Sequence, residues 1–556
     1  MFTRSGAIVK FPDRAGTRAL LKSMGYSDYD LDRPLIGIAN AWSTIVPGHY
    51  NLRQIAGAVR DGILQAGGTP VEFGVIGVCD GVANGHAGGK YSLPSRDLIA
   101  ASIETAVEAH RLDAVVLLGS CDKTVPGMLM AAARMDIPAL LVPGGPMSGG
   151  VVFDGRESDI TSLSEALGMY RIGKADEDVI THLENGSAPT CGSCSFLGTA
   201  NTMCCLAEAM GMTLPYGGTA PAVSAARLRL AQESGRAIVR LVEKGITSRQ
   251  VINRNSLLNA IRVAMAIGGS TNAVLHILAI AHEAEVDLST DEFDTISRMV
   301  PHIARVYPAG PKNVIDFHNA GGVPAVMKEV ASLLDTTALT VSGNTVEEII
   351  ASASTKDSSI IKTLDDPFSK DGGLAVLRGN LAPDTAVTKP AAIHPSMWTF
   401  TGPARVFESE ESVNEAISAG RIKEGEVVVI RYEGPKGGPG MREMARALKM
   451  LYGMGLALKT AVITDGRFSG TNNGCFVGHI SPEAAEGGPL AIVEDGDRIT
   501  IDIPNRRLHL HLSDEEIKRR LDMWRRPPST APKGYLRIYS ELAESASRGG
   551  VLRHRS

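Results

Sequence analysis

Ala114-Val-Val-Leu-Leu-Gly-Ser-Cys-Asp-Lys123 is the stretch on which the reading of the fold turns. An unbroken apolar run closed by glycine predicts a strand covered on both faces, and here a thiol, a carboxylate and an amine follow at its carboxyl end. Three further runs share the pattern: Pro34-Leu-Ile-Gly-Ile-Ala-Asn40, Val71-Glu-Phe-Gly-Val-Ile-Gly-Val78 and Ala139-Leu-Leu-Val-Pro-Gly144. Helix-like segments separate them. One runs from Ser95, read as an N-cap, to His110 with apolar residues at helical spacing. Such alternation predicts an α/β fold built on a parallel sheet. Ligands gather beyond the carboxyl ends of such strands, which points to Asn40, Cys79 and Cys121.

Around this core the composition is that of an ordinary globular chain. Of 556 residues 44% are hydrophobic and 21% charged, and the length suits two or three domains. A net charge of −5 gives no basic field for nucleic acid and no polybasic face for a membrane. No run nears the roughly 18 to 20 apolar residues that span a bilayer, and the first residues do not read as a leader, so a cytoplasmic location is expected. The 60 glycines suit loops that approach a ligand closely. Seven cysteines without an export signal predict free, catalytic or metal-bound thiols rather than disulfides.

Residues from about 196 to 355 read as mostly helical, with periodic segments at Ala222–Glu243, Leu257–Ile267 and Pro324–Leu334. Around residues 355–385 the text turns Ser/Asp/Gly/Pro-rich, which marks a boundary. Two domains are expected: an N-terminal parallel α/β sheet domain flanked by helices (1–365) and a β-rich, barrel-like C-terminal domain (366–556). In the latter, Leu508-His-Leu-His-Leu512 alternates strictly, so His509 and His511 share a solvated strand face rather than a metal site.

Five segments carry chemistry. Val78-Cys-Asp-Gly81 and Gly119-Ser-Cys-Asp-Lys123 each set a thiol beside a carboxylate, expected at the same level of neighbouring strands. Thiolate suits iron or an iron–sulfur cluster and carboxylate suits magnesium, so adjacent soft and hard metal sites are expected. Cys191-Gly-Ser-Cys194 precedes a helix-like segment, Thr199–Met210, whose N-terminus favours a thiolate or anionic cluster. Cys204, Cys205 and Cys475 read as packing residues. Glu433-Gly-Pro-Lys-Gly-Gly-Pro-Gly-Met-Arg-Glu443 offers an anion cradle, with Glu443 in a first helical turn as a metal ligand. Thr464-Asp-Gly-Arg-Phe-Ser469 presents a serine as a nucleophile or base with Arg467 nearby.

Taken together these segments resemble the dihydroxy-acid dehydratase and phosphogluconate dehydratase family, closest to dihydroxy-acid dehydratase. The likeness runs in order through PLIGIANAW, CDGVANGHAGGKYSLPSRDLIA, SCDKTVPGMLMAA, GSCSFLGTANTM, IGGSTNAVLH, YEGPKGGPGMREM and TDGRFSG. It implies a hydro-lyase of branched-chain amino acid biosynthesis that turns a 2,3-dihydroxy acid into a 2-keto acid, and a homodimer or dimer of dimers. It also implies an iron–sulfur cluster on Cys121 and Cys194, and Mg²⁺ on Asp80, Asp122, a carbamylated Lys123 and Glu443. Ser469 is then the general base. Where some members carry a third cluster cysteine this chain has Gly48, which favours [4Fe–4S] over [2Fe–2S]. Cys79, read as a strand-end residue level with Cys121, is the favoured third ligand and Cys191 the alternative. Arg467, Thr471 and His49 are candidate substrate contacts, and His86 and His479 lie beside motif residues. A sugar-acid dehydratase is the rival within the family. A non-catalytic iron–sulfur redox sensor and a zinc or thiol-nucleophile hydrolase are rivals outside it.

Overall fold

Every residue of Leu35–Asn40 and Ala114–Leu118 is buried, as unbroken apolar strands require. The computed structural model describes residues 4–470 and 474–553. Its first sheet holds four parallel strands, β1 (Leu35–Asn40), β2 (Thr69–Gly74), β3 (Ala114–Leu118) and β4 (Ala139–Val142), in the order β2-β1-β3-β4. From β1 the chain moves outward to β2, then crosses back past β1 to β3. Right-handed crossovers therefore put helix Leu52–Gln65 on one face and helices Ser92–Ala109 and Thr124–Met135 on the other. The reversal opens a crevice at the carboxyl ends of β1 and β3.

Two expectations about this sheet are corrected. Cys79 and Cys121 do not close neighbouring strands, because β1 lies between β2 and β3. Nor does β2 reach Cys79. It is an edge strand that ends at Gly74, and its last apolar residues become the approach to the short helix Asp80–Ala83, with Cys79 at the N-cap. The long helix likewise starts at Ser92 rather than after Ser95, whose hydroxyl donates to Ser92 O at 2.6 Å.

The middle of the chain is helical as expected, with Thr199–Ala209, Ala225–Lys244, Arg254–Ile267, Asn272–Glu283 and Gly322–Glu329 as its main elements. Pro324 is third, not first, in the last of these. Beyond it eight strands close a barrel: β5 (Ala375–Gly379), β6 (Ala382–Thr388), β7 (Thr399–Phe407), β8 (Val427–Ile430), β9 (Ala461–Thr464), β10 (Cys475–Ser481), β11 (Arg498–Asp502) and β12 (Arg507–Leu510). They run in the order β8-β9-β10-β6-β5-β12-β11-β7 around a core that includes Val428, Ile463, Phe476 and Ile499. This α/β fold with a barrel agrees with the fold class read from the sequence. His509 is half-buried and His511 exposed on β12 and its extension, as expected of a solvated face, and His511 Nε2 lies 2.7 Å from Thr500 Oγ1. Among the described residues no helix is long and apolar enough to cross a membrane.

Three features shape the junction of the barrel and the sheet. Beyond β8 and β9, the two-residue strands Glu443–Met444 and Arg467–Phe468 pair in parallel, with Glu443 opposite Arg467. Glu443 thus precedes the helix Arg446–Gly453 rather than opening it. Near the chain's end, helix Tyr535–Leu542 packs back on the first half. Tyr535 donates to Pro94 O, and the fully buried Arg96 donates to Gly550 O, at 3.0 Å each. Third, helix Ser162–Arg171 crosses helix Arg446–Gly453 at two facing glycines. A Cβ on Gly453 would stand 2.1 Å from Glu165 O, and one on Gly168 2.4 Å from Met450 O. Gly453→Ala is accordingly expected to destabilise the protein by about 1–3 kcal/mol, as overpacking does. A lowered midpoint of thermal unfolding checks it; an unchanged midpoint would mean that the crossing gives way freely.

Candidate active site

The crevice at β1 and β3 continues into a cavity of about 730 Å³ walled by both halves of the chain. From the sheet side come Gly48 after β1, Cys79 and Asp80 after β2, and Cys121 and Asp122 after β3. Cys191 and Cys194 enter from the loop before helix Thr199–Ala209, and Glu443 and Ser469 from the barrel side.

Gly48 is where the fold is tightest. A Cβ there would stand 2.7 Å from Cys121 Sγ, so no larger residue fits without displacing the thiol. Cys79, Cys121 and Cys194 influence one another electrostatically. Burial pushes the Cys121 and Cys194 thiols well up, and the nearby Cys79 and Asp122 push them further. Thiols in that condition stay protonated unless a cation joins them, which suits soft-metal ligation rather than free nucleophiles. Cys191 is half-buried on the same wall. Cys79 stands at a helix N-cap rather than at a strand end, and it is close enough to act on both Cys121 and Cys194. Cys204, Cys205 and Cys475 lie inside the hydrophobic cores, as expected of packing residues.

Beside the thiols, ligand oxygens of Asp80, Asp122 and Glu443 lie within 4.8 Å of one another. Among the described residues no other three His, Cys, Asp or Glu side chains gather so closely. The Lys123 ammonium sits among them, bonded to Asp80, 3.2 Å from Glu443 Oε2 and 3.6 Å from Asp122 Oδ2. Burial and repulsion from Asp80 and Glu443 push the Asp122 carboxyl up to about 7 despite Lys123. For Glu443 burial acts upward too, but Lys123 and Arg467 outweigh it and hold the carboxyl below its usual range. Asp80 Oδ1 is buried with no hydrogen-bond partner among the described residues. Crowded hard oxygens, one of them unmatched, fit a divalent cation.

Glu443 is held from three directions. Arg467 Nη1 donates to its Oε2 at 2.8 Å and Asn272 Nδ2 at 2.7 Å, opposite Lys123. Asn272 opens the helix Asn272–Glu283 and also donates to Thr199 Oγ1, while its Oδ1 lies 3.3 Å from His479 Nε2. Neither Asn272 nor Thr199 was singled out from the sequence. The Gly-Gly-Ser-Thr-Asn turn signalled a helix start, but nothing local aims its amide at residue 443.

The other expected contacts separate. Arg467 is fully buried behind the cavity wall, its Nε donating to Met441 O at 2.7 Å. His49 is buried behind Cys121, whose N–H donates to its Nε2 at 3.3 Å, and burial pulls its imidazole down to about 4. It is a neutral acceptor, away from the cavity lining. His86 is exposed and closes its own turn through Gly88 N. His479 is buried and pulled down to about 3 by burial and Arg467, which leaves it neutral. Thr471 lies outside the described residues. Ser469 lines the cavity and is 7% exposed, so it meets small molecules only from inside.

The lining is also apolar in part, with Val82, Met147, Ile160, Leu163 and Phe196 among the thiols and carboxylates. The basic side chains on the lining are the exposed Arg446 and the buried Lys449. Lys449 is bound to Glu165 and Tyr307 at 2.7 Å each.

Sequence comparisons agree over the whole chain. The family profile described as dihydroxy-acid/6-phosphogluconate dehydratase N-terminal matches residues 33–349, and its C-terminal counterpart matches residues 359–550. A protein of Caldanaerobacter subterraneus subsp. tengcongensis called dihydroxy-acid dehydratase is 53% identical over 552 residues, covering 99% of each chain. Proteins of the same name from Acetivibrio thermocellus and Pyrococcus furiosus are 51% and 50% identical over 99% of this chain and 100% of theirs.

Asn272→Ala leaves Glu443 without its amide donor. It is expected to weaken Mn²⁺ binding at the carboxylate trio by about 10- to 100-fold, the usual effect of losing a group that orients a ligand. Titration calorimetry on the iron-free protein checks it; unchanged affinity would mean Arg467 and Lys123 suffice to orient the carboxylate.

Proposed function

Because the chain belongs to the dihydroxy-acid/6-phosphogluconate dehydratase family, we propose that it removes water from a 2,3-dihydroxy carboxylate with a short branched apolar tail, such as 2,3-dihydroxyisovalerate, to give the 2-keto acid. It is a hydro-lyase. The observation that carries the substrate reading is the mixed lining of one cavity. Thiols and carboxylates share it with the apolar side chains of Val82, Ile160 and Leu163. A phosphorylated sugar acid would want a cluster of cations at its far end; Lys449 is already engaged with Glu165, which leaves the exposed Arg446 alone on the lining.

In this reading Cys121, Cys194 and Cys79 hold an iron–sulfur cluster, [4Fe–4S] rather than [2Fe–2S] because Gly48 stands where [2Fe–2S] members of the family carry their third cluster cysteine. Asp80, Asp122, Glu443 and a carbamylated Lys123 hold Mg²⁺. Residues 1–365 supply the cluster and most magnesium ligands, and residues 366–556 supply Glu443 and the base. When bound, the magnesium ion would acidify the C2–H and the cluster would act as a Lewis acid toward the C3 hydroxyl. Carbamylation replaces the Lys123 ammonium with an anion, which three neighbouring carboxylates tolerate only with the divalent cation in place.

The remaining chemistry belongs to the chain. The apolar part of the lining takes the alkyl tail and keeps water from the reacting carbons. Ser469, as alkoxide, takes the proton from C2. The C2–H electron pair becomes the C2–C3 π bond, and the C3–O bond breaks. The leaving hydroxide takes one proton and departs as water, and the enol tautomerises to the 2-keto acid by protonation at C3.

Anaerobic assays of 2,3-dihydroxyisovalerate beside 6-phosphogluconate and C5–C6 aldonates test the substrate. A higher kcat/KM for the branched acid is expected, and preference for any of the others overturns the assignment. Ser469→Ala is expected to lose about 10²- to 10⁴-fold in kcat with iron, sulfide and magnesium retained. Gly48→Ala is expected to lower iron and sulfide per chain while circular dichroism stays unchanged, because its methyl group meets the Cys121 sulfur. Full iron content in that variant would remove Cys121 from the ligand set.

A further inference from the structure

One buried cation near the active site takes no part in the arrangement so far. Lys389 follows β6, is fully buried, and donates from Nζ to the carbonyl oxygen of Gly470 at 3.0 Å. Among the described residues no carboxylate lies within 4.0 Å of it, in contrast to the similarly buried Lys123 and Lys449. The charged or titratable groups acting on it are cationic or neutral. Lys449, from helix Arg446–Gly453, repels it, and His302, from the loop before residue 304, feels it in turn. Burying an ammonium without an anion is costly, and folds seldom retain one without compensation.

The segment it touches is the one that carries Ser469, and that segment is pinned on both sides. Ahead of the serine, Arg467 is fixed to Glu443 and Met441 O. After it, Gly470 is wedged so closely that a Cβ would stand 3.0 Å from both Gly198 Cα and Ser270 Cβ. Lys389 supplies the remaining tie at Gly470. An anion is also what the serine must become to take a proton from carbon. A fixed positive charge one residue away, in a dry setting, favours that anion.

We infer that Lys389 is a positioning residue for Ser469: it fixes the Gly470 carbonyl and supplies a buried positive charge that stabilises the serine alkoxide. This rests on the reading of Ser469 as the base. Burial and repulsion by Lys449 pull the Lys389 ammonium down to about 7, so its charge is available in acid and neutral solution and fades as pH rises.

The test uses the holoenzyme assembled anaerobically with iron, sulfide and magnesium, as wild type, Lys389→Met, Lys389→Arg and Ser469→Ala. Lys389→Met is expected to lower kcat by about 10- to 100-fold, somewhat less than loss of a direct oxyanion donor. Its KM, iron and magnesium content should be unchanged, and the kinetic isotope effect from deuterium at C2 should rise. Lys389→Arg, charged at all working pH, is expected to keep more activity and to shift the alkaline fall of kcat to higher pH. Wild-type kcat, isotope effect and pH profile in Lys389→Met would overturn the inference. So would a loss of kcat with no change in isotope effect, which would make the lysine structural. Should Lys389→Met fail to fold, the alkaline limb of Lys389→Arg decides alone, and an unshifted limb overturns the inference. An active Ser469→Ala enzyme would instead remove the base assignment, a separate failure from a silent Lys389→Met beside an inactive Ser469→Ala.

Discussion

Three carboxylates from distant parts of the chain share one nearly dry place, and that is tolerable only because two cations are built in among them. Asp80 and Asp122 come from the loops of the sheet, Glu443 from the barrel side, with Lys123 and Arg467 between. Removing one cation would leave like charges facing one another in a low dielectric, where repulsion is strong. The balance is incomplete, since three acidic groups meet two cations, and one of the three, Asp122, is pushed up to about 7 by burial and its neighbours. This residual attraction for positive charge follows from which residues the fold brings together, before any particular ion is considered.

Backbone approach makes the arrangement possible. Gly48 lets the loop after β1 lie against Cys121, Gly470 lets the serine segment slide between Gly198 and Ser270, and Gly453 lets two helices touch across the halves. Each contact lies where a methyl group would collide. Part of the high glycine content noted from composition therefore serves the close approaches around the cavity and between the two halves.

Much of this was legible beforehand, and the failures have physical causes. β1, β3 and β4 are covered on both faces, so their apolar runs are continuous and their ends readable. β2 pairs with β1 alone and that pairing stops where β1 does, with Asn40 opposite Gly74, so its apolar text outruns its hydrogen bonds and misplaces Cys79. Glu443 looked helical because a helix begins just beyond it, whereas its conformation is set by pairing with Arg467, a contact no local pattern encodes. Asn272 and Lys389 were invisible for the same reason. Each matters through what lies opposite it in space, and an asparagine at a helix start or a lysine after a strand is ordinary text. Arg467 and His49 were recognised as unusual but given the wrong neighbours: both face the ligands from behind rather than the cavity.

The bond from Arg96 to Gly550 spans 454 residues of sequence and has a consequence in time. The helix bearing Arg96 also bears Ser92, whose hydroxyl donates to Asp80 at 2.6 Å. During synthesis the sheet emerges long before residue 550, so Arg96 has the neighbouring Asp97 at first and lacks the Gly550 acceptor. A ribosome-bound first half therefore holds an unfinished site, and its completion waits on residues made hundreds of positions later.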